Sequence, residues 1–158
     1  WSFTATDLSA TMLDKAKQYI QPLDALHRVE FALADVDQLK TEQTYDAALS
    51  ILVTHFVPYA QKLNFLKAID SRLKQHGVFI GFDLTAIKTD QERGMLKHIC
   101  ETNGLSTAQS TAMLSRLADD FYPLSEQETF EQLNLAGFAS VQRFTQILSY
   151  QGFMALKV

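Results

Sequence analysis

The sequence predicts an α/β protein with a doubly wound, mostly parallel sheet, and three observations predict it. Strand-like and helix-like segments alternate through the first half of the chain, which favours such a sheet with right-handed crossovers. The run from Ala47 to Val53 is apolar except for Ser50, as suits a strand covered on both faces. Three strand-like segments end on or near an acid, at Asp7, Asp35 and Asp83. In open α/β sheets, ligands sit at the carboxyl ends of the strands. An acid at such a tip is costly to desolvate and has to be hydrogen-bonded.

Each element has its own local signal. Phe3-Thr4-Ala5-Thr6 alternates as a strand and ends on Asp7. Ser9 is a good N-cap for a helix carrying Met12, Leu13, Ala16 and Ile20, which Pro22 stops. Val29 to Leu33 alternates again, and the apolar strand Ala47–Val53 follows. Beyond Pro58, the residues Leu63, Leu66, Ile69 and Leu73 mark one helix face, with Gly77 placed to close that helix in the left-handed conformation. Val78 to Phe82 is a further buried strand, ending on Asp83. Thr89 with Glu92 reads as a capping box for a helix through Met95, Leu96, Ile99 and Cys100, closed by Gly104. A second helix is expected from Ala108 to Asp120, and a third behind Ser125 and Glu128, closed by Gly137. Two strand-like pieces, Ser140–Thr145 and Tyr150–Lys157, stand close enough to form an antiparallel hairpin.

The totals narrow the function classes. At 158 residues, one domain is the expectation. No run approaches the ~18–20 apolar residues of a membrane span, so no membrane partner is expected. A net charge of -4 with no dense basic run makes nucleic acid an unfavoured partner. One cysteine, Cys100, cannot form an internal disulfide and fits a reducing, cytoplasmic setting. His27, His76 and His98 show no metal-ligand spacing, so no metal site is expected.

Four stretches, taken in order, resemble the class I S-adenosylmethionine-dependent methyltransferases. They are "TDLSATMLDKAK", "FALADVDQL", "YDAALSILVTHFV" and "FLKAIDSRLKQHGVFIGFDL". The ending "LNLAGFASVQRFTQILSYQGFMALKV" is similar to that family's final helix and hairpin. The resemblance covers nearly the whole chain and lies in the order of the segments, each being weak alone. It implies a Rossmann-like fold, S-adenosylmethionine as cofactor, and methyl transfer to a small-molecule acceptor. The family's first strand and glycine-rich loop have no counterpart ahead of Asp7, and the chain starts at Trp1. An N-terminally truncated domain over 1–158 is therefore expected, with a homodimer or strand exchange as one way to fill the central slot. Residues 87–122 are expected to form a helical substrate lid, or a plain helical cover for the sheet.

By the same resemblance, Asp7 accepts the ribose hydroxyls and Leu8 packs on the ribose or adenine, unless Leu8 is a core residue. Asp35 accepts the adenine amino group while the Val36 amide faces a ring nitrogen, with Asp37 as the competing partner. Backbone carbonyls at Ser50 and Ile51 receive the ammonium of the methionine end. His55 is a weak candidate for a catalytic base, against a packed histidine at a helix start. Asp83 reads as a polar cap rather than a ligand holder. Two other functions remain open: a tRNA-modifying enzyme of the same fold, and a non-catalytic interaction module.

Overall fold

In the computed structural model, which describes residues 1–40 and 42–158 with the side chains of 118 and 119 left aside, strands and helices follow the expected order. They are β1 (Phe3–Asp7), α1 (Ala10–Ile20), β2 (Val29–Leu33), β3 (Tyr45–Ile51), α2 (Tyr59–Arg72), β4 (Leu73–Leu84), α3 (Asp90–Thr102), α4 (Thr107–Asp119), α5 (Glu126–Ala136), β5 (Phe138–Ile147) and β6 (Tyr150–Lys157). The chain divides into two compact units, Trp1–Thr44 and Tyr45–Val158. No helix among the described residues is long and apolar enough to cross a membrane.

In the first unit, β1 and β2 pair in parallel with Phe3 opposite Val29 and Asp7 opposite Leu33. Helix α1 starts where expected, because the Ser9 side chain accepts the Met12 N–H. It gives way at Gln21 to a short 3₁₀ turn that contains Pro22. Leu13 is buried against the pair, and the Lys17 ammonium lies 5.4 Å from the centre of the Phe31 ring.

The second unit holds a mixed four-stranded sheet in the order β3-β4-β6-β5. β3 and β4 are parallel, whereas β6 runs antiparallel to both β4 and β5. The core lies on one face, where Leu66 and Ile69 of α2 and Leu133 and Ala136 of α5 are buried, as are Phe79, Phe138, Phe153 and Ala155 of the strands. On the opposite face Leu49, Ile80 and Met154 share a register row, and Leu49 is 65% exposed.

Three local expectations need correction. β3 stops at Ile51 rather than Val53, because Leu52 turns into the left-handed region at φ 56°. Gly77 does not close α2: the helix ends at Arg72, Leu73 is already extended, and His76 is the residue with positive φ, 64°. Residues 74–77 form an irregularity in β4 between the pairs Tyr45–Leu73 and Ala47–Val78. A Cβ on Gly77 would come within 2.8 Å of the Lys74 carbonyl oxygen there, so close approach explains this glycine. At α3 the Thr89 side chain accepts the Glu92 N–H, but the Glu92 carboxylate reaches the Lys88 N–H instead of closing a box on Thr89.

Candidate functional site

The parallel register of β1 and β2 puts Asp7 and Asp35 at the same, carboxyl end of one strand pair. Asp7 is the last residue of β1, and Asp35 follows two residues after β2 ends. The Thr6 hydroxyl donates to the Ala34 carbonyl and stitches the two ends together. One oxygen of Asp7 accepts the Ser9 N–H at 2.7 Å, so the turn into α1 holds the carboxylate in place. Leu8 is 72% exposed beside it and has no core role.

Asp35 caps the short turn Val36–Gln38. Its Oδ1 accepts the Val36 N–H at 2.6 Å, and its own N–H donates to Gln38 Oε1 at 3.1 Å. The Val36 amide is therefore engaged by Asp35 itself. Asp37 lies on the same turn and is exposed. The two acids thus have different local duties, yet each keeps an oxygen that the adjacent N–H does not use.

In the second unit, Ser50 is buried near the end of β3, and its hydroxyl lies 3.3 Å from that of Thr54. Ile51 is half exposed, and the Leu52 N–H donates to the Phe82 carbonyl at 2.8 Å. The turn that follows is organised by Asp83. Its carboxylate accepts the N–H groups of Thr54, His55 and Leu84 at 2.5, 3.3 and 2.8 Å. The same carboxylate hydrogen-bonds His55 Nδ1. The His55 ring is buried and packs against Phe56 and Phe121, with centroids 4.1 and 5.1 Å away.

Lys62, which the pattern of apolar residues did not single out, completes this cluster. It is 1% exposed and donates to the Thr54 carbonyl at 2.5 Å. Burial pushes its pKa down to about 8, with the nearby Asp83 charge working in the opposite direction. Its position is legible in retrospect: Lys62, Leu66 and Ile69 stand at i, i+4 and i+7, and all three are buried. Thr54, His55, Lys62, Asp83 and Thr85 edge a cavity of about 40 Å³, room for little more than one water. This cluster is built to fix a turn.

In open α/β sheets, the carboxyl ends of the strands, where Asp7 and Asp35 stand, are where ligands bind. Residues 1–77 match a family model described as a methyltransferase domain. A carboxy-S-adenosyl-L-methionine synthase from Pseudomonas aeruginosa (strain UCBPP-PA14) is 28% identical over 158 residues, covering 95% of this chain and 64% of the relative. The chain thus spans 61–64% of the length of such curated relatives.

Solved structures share the fold. Magnesium protoporphyrin IX methyltransferase from Synechocystis PCC 6803 with bound SAH aligns at a TM-score of 0.63 and 19% identity, over 98% of this chain and 63% of that one. An O-methyltransferase family 2 protein from Planctomyces limnophilus DSM 3776 aligns at 0.67 and 16%, over 99% and 42%. Residues 1–77 are thus similar to a methyltransferase domain, and the whole chain shares the Rossmann-like fold of these solved methyltransferases.

Proposed function

We propose that this chain holds S-adenosylmethionine for methyl transfer to a small-molecule acceptor. The observation that carries the reading is the placement of Asp7 and Asp35 at one end of the β1–β2 pair. A carboxylate can accept two hydroxyl donors at once, and the turn-held Asp7 is suited to the ribose, with exposed Leu8 beside it for an apolar contact. Asp35 suits the adenine amino group through the oxygen not used by Val36. For the Val36 amide to face a ring nitrogen, its present bond to Asp35 has to be exchanged. In the second unit, taken by itself, the carbonyls of Ser50 and Ile51 at the end of β3 would suit an ammonium group.

The sulfonium of the cofactor makes its methyl group electrophilic, so the protein's main task is alignment. That leaves His55 a minor part. With Nδ1 bound by Asp83, Nε2 is the nitrogen left to accept a proton.

Calorimetry with S-adenosylhomocysteine tests the reading. Asp7→Ala and Asp35→Ala are each expected to weaken binding at least tenfold. Unchanged affinity in Asp7→Ala removes that residue from the site. A second reading is favoured by the named relatives, whose match extends over 95% of this chain: the product is a modified S-adenosylmethionine rather than a methylated acceptor. Mass spectrometry of the nucleoside product separates the two, since S-adenosylhomocysteine signals methyl transfer and a heavier, carboxylated sulfonium signals the alternative.

A further inference from the structure

We infer that residues 121–124 form a strap that seats on the second unit as Lys62 gives up a proton and lifts as Lys62 takes one. The strap lies between α4 and α5 and has no regular structure of its own. What holds it comes from elsewhere in the unit. The Tyr122 N–H donates to the His55 carbonyl at 2.7 Å, the Tyr59 hydroxyl donates to the Pro123 carbonyl at 3.1 Å, and the Ala86 N–H donates to the Leu124 carbonyl at 2.9 Å. The Phe121 ring stands edge-on to His55 and Phe56, with centroids 5.1 and 5.0 Å away, and Tyr122 meets Tyr59 at 5.5 Å.

Leu124 is buried and lines the small cavity that Lys62, Thr54 and His55 also line. An ammonium has three donors to place, and that of Lys62 gives one to the Thr54 carbonyl at 2.5 Å. The Tyr59 ring of the same helix lies 5.6 Å away. Asp83 and His55 are the other titratable residues around the cavity, and Asp83 is already occupied by the turn. From α5 and β6 the cavity receives only Thr129, Leu133 and Phe153, none of them charged.

Lys62 is thus enclosed with thin compensation for its charge. Desolvation lowers its pKa from 10.5 to about 8, against the opposing charge of Asp83. Lifting the strap lets water reach the amine, and its affinity for a proton rises toward the ordinary value. The seated form therefore has the lower pKa, and its advantage grows with pH between about 8 and 10.5, by up to about tenfold per pH unit. The proton passes to solvent. Because the strap follows α4 directly, its seating ties the end of the helical region 87–122 to the turn behind β3. The inference concerns the second unit alone and stands apart from the roles given to Asp7 and Asp35.

The test is an NMR titration of the Lys62 Cε signal in the whole chain. The wild-type midpoint is expected at about 8, and Phe121→Ala and Leu124→Ala are each expected to raise it by at least about one pH unit. Should Leu124→Ala fail to fold, Phe121→Ala carries the titration. A second readout comes from the lysine itself: at pH 7.5, chymotrypsin should cut after Phe121 at least about tenfold more slowly in Lys62→Met than in the wild type, with the gap narrowing by pH 9. The inference is overturned if the wild-type midpoint lies near 10.5, if it is unmoved in folded strap variants, or if wild type and Lys62→Met are cut after Phe121 at equal rates.

Discussion

Asp83 gathers four donors on one carboxylate: the N–H groups of Thr54, His55 and Leu84, and the His55 ring. Because the group is buried, taking the carboxylate away strands several donors at once. Asp83→Ala is expected to cost about 3 kcal/mol or more, since each buried donor left unsatisfied costs about 1–3 kcal/mol, measured by urea denaturation. Lys62 gives a second prediction at this scale. Its folded pKa, about 8, lies below the ordinary lysine value of 10.5. Between those values the unfolded chain binds more protons than the folded one, so this group's contribution to stability rises with pH across that window. Below about pH 8 the full penalty of a buried ammonium is present. The stability difference between the wild type and Lys62→Met should therefore shift toward the wild type from pH 8 to pH 10. Asp83→Asn removes the charge that supports the ammonium and should move the Lys62 pKa below about 8.

Helix α5 shows what was written locally in the chain and what was not. Ser125 and Glu128 form a reciprocal capping box, and Gly137 ends the helix at φ 115°; both follow from the residue types. Ser125→Ala should cost about 1 kcal/mol, as is usual for a lost N-cap. Gly137→Ala should cost at least about 1 kcal/mol, because a side chain disfavours the left-handed region and its Cβ would approach Asp70 Oδ2 at 3.3 Å. Thermal melts read both. Gly77 is the counter-case: it too follows an apolar helix face, yet the chain leaves helix at Arg72 and uses the glycine inside β4. A glycine reports freedom or close approach, and only the tertiary partner decides which. Likewise Asp7, Ser9 and the β1–α1 junction were readable from spacing, because they serve one another within a few residues. The Asp83–His55 pair was not, since its members are 28 residues apart. Lys62 was hidden by a residue type that seldom occupies an apolar stripe.

The two units differ in how much core supports them, and that difference bears on the cofactor. Among the buried apolar residues, Leu13 belongs to Trp1–Thr44, and the other members of the core belong to Tyr45–Val158. A two-stranded pair with one helix is marginal by itself, whereas β4 and β6 each have a neighbour on both sides. Amide exchange should therefore be fastest in β1 and β2 and slowest in β4 and β6. The β1–β2 pair also carries the acids assigned to the nucleoside. A ligand that binds the folded form adds stability by mass action, about 2.7 kcal/mol at a hundred times its Kd. S-adenosylhomocysteine at that excess should slow exchange in Phe3–Asp7 and Val29–Leu33 by up to about a hundredfold. Asp7→Ala should abolish that protection at the same ligand concentration. Equal slowing in β4 and β6, with none in β1 and β2, would place the nucleoside contacts in the second unit and detach Asp7 and Asp35 from cofactor recognition.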